Sequence, residues 1–159
     1  MSPSPTDRPA RASEPAGDGF DLARFLPPQE RDFATALAEL RAGRKTTHWI
    51  WYVFPQLAAL GRSSTAKFYG IASLEEARAY LAHPVLGPRL IEATEAALHS
   101  GTADPHALFG SPDDMKVRSC LTLFLAADPD APALKRALDH FYAGEPDPHT
   151  LAVLGDASA

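Results

Sequence analysis

Cysteine is nearly absent from this chain: Cys120 is the only one in 159 residues. An internal disulfide and a cysteine-based zinc cluster are thereby excluded. Long apolar runs are missing too. None approaches the ~20 residues that a membrane-spanning helix needs. The first residues carry no hydrophobic signal-peptide core, so a cytoplasmic protein with no membrane partner is expected. Positive charge is in deficit, with 15 Lys and Arg against 20 Asp and Glu and a formal net charge of −5. A generally basic nucleic-acid-binding surface is not expected on that balance, which leaves open only a local basic patch. Catalytic signatures are lacking as well: there is no Walker loop, no Gly-x-Ser-x-Gly, no His-Glu-x-x-His and no Gly-x-Gly-x-x-Gly. No cofactor can be named from the chain. Its histidines, His48, His83, His99, His106, His140 and His149, are scattered, so no metal site is assigned.

What is present is the composition of a globular domain. Hydrophobic residues make up 45% and charged residues 22%, ordinary values for a folded protein, and the length suits one domain. Residues 1–19 hold no apolar side chain larger than alanine after Met1. Such a segment buries too little to offset its ordering entropy, so a disordered tail is expected there. Phe20, Leu22, Phe25 and Leu26 then anchor a folded domain over residues 20–154, and residues 155–159 read as a flexible end.

The periodicity of that domain is helical. Phe33, Leu37 and Leu40 form one stripe after Pro28, and Gly43 ends it. Arg41, Arg44 and Lys45 give a basic exit suited to the helix dipole. Residues 57–70, interrupted by Gly61 and a Ser-Ser-Thr run, read as loop plus a short turn. Ser73 and Glu76 have capping-box spacing and open a helix through Leu81, which His83-Pro84 closes. Leu86, Leu90, Thr94 and Leu98 mark a longer helix. Asp104-Pro105 and the Ser-Pro-Asp-Asp run at 111–114 are further start signals. The second opens a stripe of Val117, Leu121, Phe124 and Leu125. Leu134, Leu138, Phe141 and Tyr142 repeat that spacing, and Asp147-Pro148 starts a last turn. The expected fold is all-α: a compact single-domain bundle of about six or seven short helices.

Residues 46–56, Thr-Thr-His-Trp-Ile-Trp-Tyr-Val-Phe-Pro-Gln, form its focus. Their propensity favours a strand, but no other segment offers a partner strand. A short buried helix over 47–54 is therefore predicted, with Thr46 or Thr47 as N-cap and Pro55 as its stop. Aromatic clusters bury large areas while indole N–H and phenol O–H still seek partners, which places them where a core meets a cavity. A second polar constellation is Asp113, Asp114, Lys116, Arg118 and Ser119. Asp114 and Arg118 have the spacing of a surface ion pair. Alternatively, Lys116 and Arg118 line a pocket wall facing the aromatic stretch, since arginine suits phosphate or carboxylate. The N–H groups opening that helix also favour an anion. Histidine titrates near neutrality, which makes His48 the candidate acid or base. It serves equally well as a capping or core residue. Trp49, Trp51, Gln56, Lys116, Arg118 and Asp114 complete the candidate ligand site. Cys120 lies too far into its helix for a reactive thiolate to gain much support, apart from Lys116 one turn earlier.

Three segments carry a resemblance. They are residues 40–56, Leu-Arg-Ala-Gly-Arg-Lys-Thr-Thr-His-Trp-Ile-Trp-Tyr-Val-Phe-Pro-Gln; residues 80–90, Tyr-Leu-Ala-His-Pro-Val-Leu-Gly-Pro-Arg-Leu; and residues 113–124, Asp-Asp-Met-Lys-Val-Arg-Ser-Cys-Leu-Thr-Leu-Phe. Together they resemble the bacterial domain-of-unknown-function family 1810 over about residues 20–154. The resemblance implies a small all-α protein and brings no established activity. Some members are labelled calpastatin, a name the core periodicity argues against, because inhibitor segments of that kind are disordered. Three function classes follow. One is an enzyme on a phosphorylated or nucleotide-like molecule, an ADP-ribose-linked hydrolase by analogy with the NADAR family. That family's aromatic-rich motif includes a Glu and a Gln; here Gln56 is present, but no Glu stands between Glu39 and Glu75. The others are a regulatory ligand-binding module without chemistry and a protein-interaction domain that uses the aromatic stretch as a patch.

Overall fold

The computed structural model describes residues 20–158; the expected tail over residues 1–19 lies outside them. Among the described residues there is no strand, and the chain is built from α-helices. A 3-10 turn, Leu22–Phe25, leads into α1, Leu26–Ala42. Prolines in the first turn of α1 cost nothing, because those N–H groups have no intrahelical acceptor. Gly43 ends it in the left-handed region at φ 87°, donating to the carbonyls of Glu39 and Leu40. The aromatic stretch forms α2, Ile50–Val53, a single turn. After a 3-10 turn at Ala58–Leu60 come α3, Ser64–Phe68; α4, Leu74–Ala82; and α5, Leu86–Leu98. They are followed by α6, Pro105–Phe109; α7, Asp113–Ala127; α8, Pro132–Tyr142; and α9, Pro148–Ser158.

These elements depart from the sequence reading in four places. Within the stretch read as loop plus a short turn, Ser64–Phe68 is helical, because the Ser63 hydroxyl accepts the N–H of Ala66 at 3.0 Å and starts it. Neither Thr46 nor Thr47 caps α2; Trp49 holds that position without a side-chain cap. Ser73 does cap α4, but Glu76 turns away from a reciprocal box to accept from the N–H of Ala72 and from Arg24. The backbone of α9 continues through residues 155–158, which the sequence leaves as a free end.

Helix α7 is the axis of the bundle. Val117 and Ser119 to Phe124 are all buried, so it is apolar nearly all round, as a central helix must be. It packs against α4, α6, α8 and α9, while α5 covers α1, α4 and α8. Helix α2 is wedged between α1, α5 and α7. The aromatic stretch reaches the core from there: Phe54, just past α2, lies edge-on to Phe109 at 5.9 Å between centroids.

Candidate functional site

The chain leaving α2 is pinned by the Gln56–Ile71 junction. Ile71 donates to the Gln56 carbonyl at 2.9 Å, and Ala58 donates to the Ile71 carbonyl at 2.8 Å. Below it Arg24 gathers the end of α3, donating to the carbonyls of Phe68 and Gly70 at 2.8 Å each and pairing with Glu76 at 2.9 Å. This frame fixes the 3-10 turn and α3 as one wall of a cavity of about 690 Å3. The start of α7, with Pro112, Met115, Lys116 and Ser119, makes the facing wall. Asp147 and His149 close it where α9 begins.

The cavity's polar groups have distinct states. Gln56 is half-buried on its wall, and its side-chain amide makes no hydrogen bond with any described residue. Lys116 stands 3.6 Å from Asp113 and 5.6 Å above the ring of Trp51. Asp113 is already paired with Lys45 at 2.8 Å. Two ammonium groups thus share one carboxylate, which leaves net positive charge at the wall. Arg62 is exposed at the rim with no ion pair to a described residue. Asp147 is 2% exposed. Its Oδ2 accepts from Ser119 Oγ at 3.1 Å, from the Thr150 N–H at 2.9 Å and from Thr150 Oγ1 at 2.6 Å.

A narrow cleft extends the cavity past Gln56, Ala66 and Lys116 to Trp51 and Tyr69. On the far side of Trp51 an open groove is lined by Arg31, His48, Tyr52, Ser64, Thr65 and Phe68. There the Tyr52 hydroxyl donates to Asp32, while Arg31 reaches both. Burial, reinforced by the Asp32 contact, pushes the Tyr52 phenol up to about 12, so it stays a donor.

The candidate residues separate on this geometry. Gln56 and Lys116 share the cavity, and Trp51 adjoins it through the cleft. His48 is exposed in the open groove instead. Trp49 is 1% exposed and donates from its indole to Glu39 at 2.9 Å, a core contact. The Asp114–Arg118 pair does not form. Asp114 lies 3.8 Å from His106, and Arg118 donates to the Glu145 carbonyl at 2.9 Å, drawn there by the turn after α8. The N–H groups of residues 114–116 at the start of α7 are occupied: Asp114 donates to Gly110, Lys116 to Pro112, and Met115 to Pro112 and to the Asp114 carboxylate. Burial pushes the Cys120 thiol up, which removes it as a nucleophile. Among the described residues no group of three or more His, Cys, Asp or Glu could hold a metal ion. None of the helices described is long and apolar enough to cross a membrane.

Arg62, Asp147 and His149 were not singled out by sequence reasoning. Asp147 carried a signal as the N-cap ahead of Pro148, but a cap signal gives no hint of what lies across from it.

The fold and cavity define a small all-α protein with a polar pocket between its central helix and the turns that follow the aromatic stretch. The chain belongs to the family described as "Protein of unknown function (DUF1810)", whose pattern it matches over residues 19–154. It is also similar to the crystal structure of the conserved hypothetical protein Rv1873 from Mycobacterium tuberculosis, at 46% identity and a TM-score of 0.84. That match covers 87% of this chain and 99% of the other. None of the curated proteins matches it.

Proposed function

We propose that the protein binds a small phosphorylated or nucleotide-like molecule in the cavity between α3, α7 and α9. The observation that carries this reading is the convergence of Arg62, Lys116 and His149 with the unsatisfied Gln56 amide on one concave space. Pockets for small molecules pair apolar walls with a few convergent polar groups. Here Ala59, Leu60 and Ala66 supply the apolar part. Lysine and arginine are the usual partners of phosphate oxygens, and Gln56 can orient a ligand through both of its amide atoms. The adjoining cleft, only about 10 Å3, sets Trp51 and Tyr69 as a packed apolar floor behind Lys116 rather than as a second ligand subsite.

A calorimetric and thermal-shift panel of nucleotides, ADP-ribose and sugar phosphates tests the reading, with turnover followed by chromatography. Binding should raise the melting temperature. Lys116→Ala and Arg62→Ala should each weaken it by roughly 10-fold, the weight of a charge-assisted hydrogen bond. Arg118→Ala, which changes a group outside the cavity, should leave affinity intact. Absence of binding across the panel, or equal loss from Arg118→Ala and Lys116→Ala, would sink it.

A further inference from the structure

The cavity is not simply cationic, because it contains one acid, Asp147, whose carboxylate is only half used. Asp147 caps α9. Its Oδ2 accepts from the N–H and hydroxyl of Thr150 and shares the Ser119 hydroxyl with the Met115 carbonyl. Its own N–H donates to Thr122 Oγ1 at 2.8 Å. The residue is 2% exposed, so its position is set from several sides. The other oxygen, Oδ1, receives no hydrogen bond from any described residue, and Asp147 lines the cavity. Buried polar atoms are nearly always paired, and one that is not marks a place where a partner belongs. An ionised carboxylate oxygen accepts hydrogen bonds and donates none. Whatever fills this part of the cavity must therefore bring an O–H or N–H.

The rest of the cavity asks for the opposite chemistry. Lys116 and Arg62 favour an anion, and a bare phosphate beside Asp147 would meet like charge. One molecule satisfies both demands when it carries a phosphate at one end and hydroxyls a few bonds away. Resting on the anion-site reading above, we propose that the ligand is a phosphorylated sugar or polyol. Its phosphate faces Lys116 and Arg62, and a hydroxyl donates to Asp147 Oδ1. Asp147 is then the residue that selects hydroxylated phosphates over simple ones. A site built to hydrogen-bond a hydroxyl rejects the analogue that lacks it, since the carboxylate is left buried and unpaired.

Two ligands of matched shape separate this proposal from the reading beneath it: ribose 5-phosphate and tetrahydrofurfuryl phosphate, the same ring without its hydroxyls. Calorimetry on the full chain should give ribose 5-phosphate the tighter binding by roughly 10-fold or more. In Asp147→Asn the cap survives, because asparagine caps helices as well as aspartate does. The amide can place its NH2 where Oδ1 stood, so the preference should collapse towards equality while the phosphate is still bound. Circular dichroism checks that this variant folds; if it does not, the wild-type ligand pair alone decides. Equal wild-type affinity for the two ligands would mean that solvent alone serves Oδ1. The hydroxyl proposal then falls and the anion site stands. If neither ligand binds, the hydroxyl proposal falls, and the wider panel of nucleotides and ADP-ribose decides whether the anion site stands.

Discussion

At the scale of single residues, the aromatic stretch is held by a carboxylate rather than by its neighbours in the sequence. Glu39, near the end of α1, accepts the N–H groups of Thr46 and Thr47 at 2.8 and 3.0 Å. It also takes the Thr47 hydroxyl at 2.6 Å and the Trp49 indole at 2.9 Å. Burial alone would raise its pKa, but four donors to the charged form outweigh it and bring the group down to about 2 from its ordinary 4.5. The folded-state pKa lies below the unfolded one, so the stabilisation is complete above about pH 4.5. It is lost as pH falls towards 2. Glu39→Gln keeps one acceptor and gives up the charge. It should cost about 1–2 kcal/mol at pH 7. Denaturant melts from pH 7 to pH 2 should show the gap between wild type and variant closing through that window. A gap that stays constant with pH would show that the charge is not what holds the stretch.

Among elements, the wall of the cavity that looks least secure is the turn-and-helix segment from Ala58 to Gly70. Its helix α3 has only five residues, too few to be stable without tertiary support. That support comes from Arg24, which bonds to Phe68, Gly70 and Glu76 with its side chain 10% exposed against 4% for Glu76. Removing one partner of a buried ion pair leaves the other charged and uncompensated, at a cost of roughly 3–5 kcal/mol. Arg24→Ala should therefore destabilise the protein by about 3 kcal/mol. It should also speed amide exchange in Ser64–Phe68 more than in α7. Uniform loss of protection across the bundle would instead mean that the segment unfolds only with the whole molecule. Closer packing also constrains this region: a Cβ on Gly70 would come 2.3 Å from Ala58 Cα, so only glycine lets the two backbone runs touch.

For the molecule as a whole, the sign of its charge and the sign of its cavity disagree. The chain is acidic by five charges, yet Arg62 and Lys116 meet at one mouth. Long-range repulsion then slows and weakens an incoming anion, while the short-range attraction is partly screened by salt. Coulomb energy grows as separation shrinks, so attraction at contact is the larger of the two opposed effects. Affinity for ribose 5-phosphate should fall several-fold as salt rises from low ionic strength to about 0.5 M, where the Debye length shrinks to a few ångströms. Calorimetry across that range checks it. Affinity that rises with salt would place the ligand away from Lys116 and Arg62.

The sequence by itself determined the longer helices, though not the short turn at Ser64–Phe68. Stripes such as Val117, Leu121 and Phe124 need one water-free face, and a local spacing of 3.6 residues supplies it without reference to the rest of the chain. Caps such as Ser73 and Asp104 were legible for the same reason, since donor and acceptor lie two or three residues apart. The membership of residues 40–56 in a site was legible only in part. Gln56 and Lys116 do share a cavity, but Arg118 was claimed by Glu145 and Trp49 by Glu39, choices made across turns and between helices. Asp114 faces His106 on another helix at 3.8 Å rather than Arg118 four residues along its own, because an exposed i,i+4 pair contributes only a few tenths of a kcal/mol and yields to tertiary packing. Asp147 and Arg62 entered the site because α9 folds back on α7 and on the turn at Ala58–Leu60. A cavity is the space left between elements, and no local pattern records which elements will face each other across it; that was decided by the packing of the helices around α7.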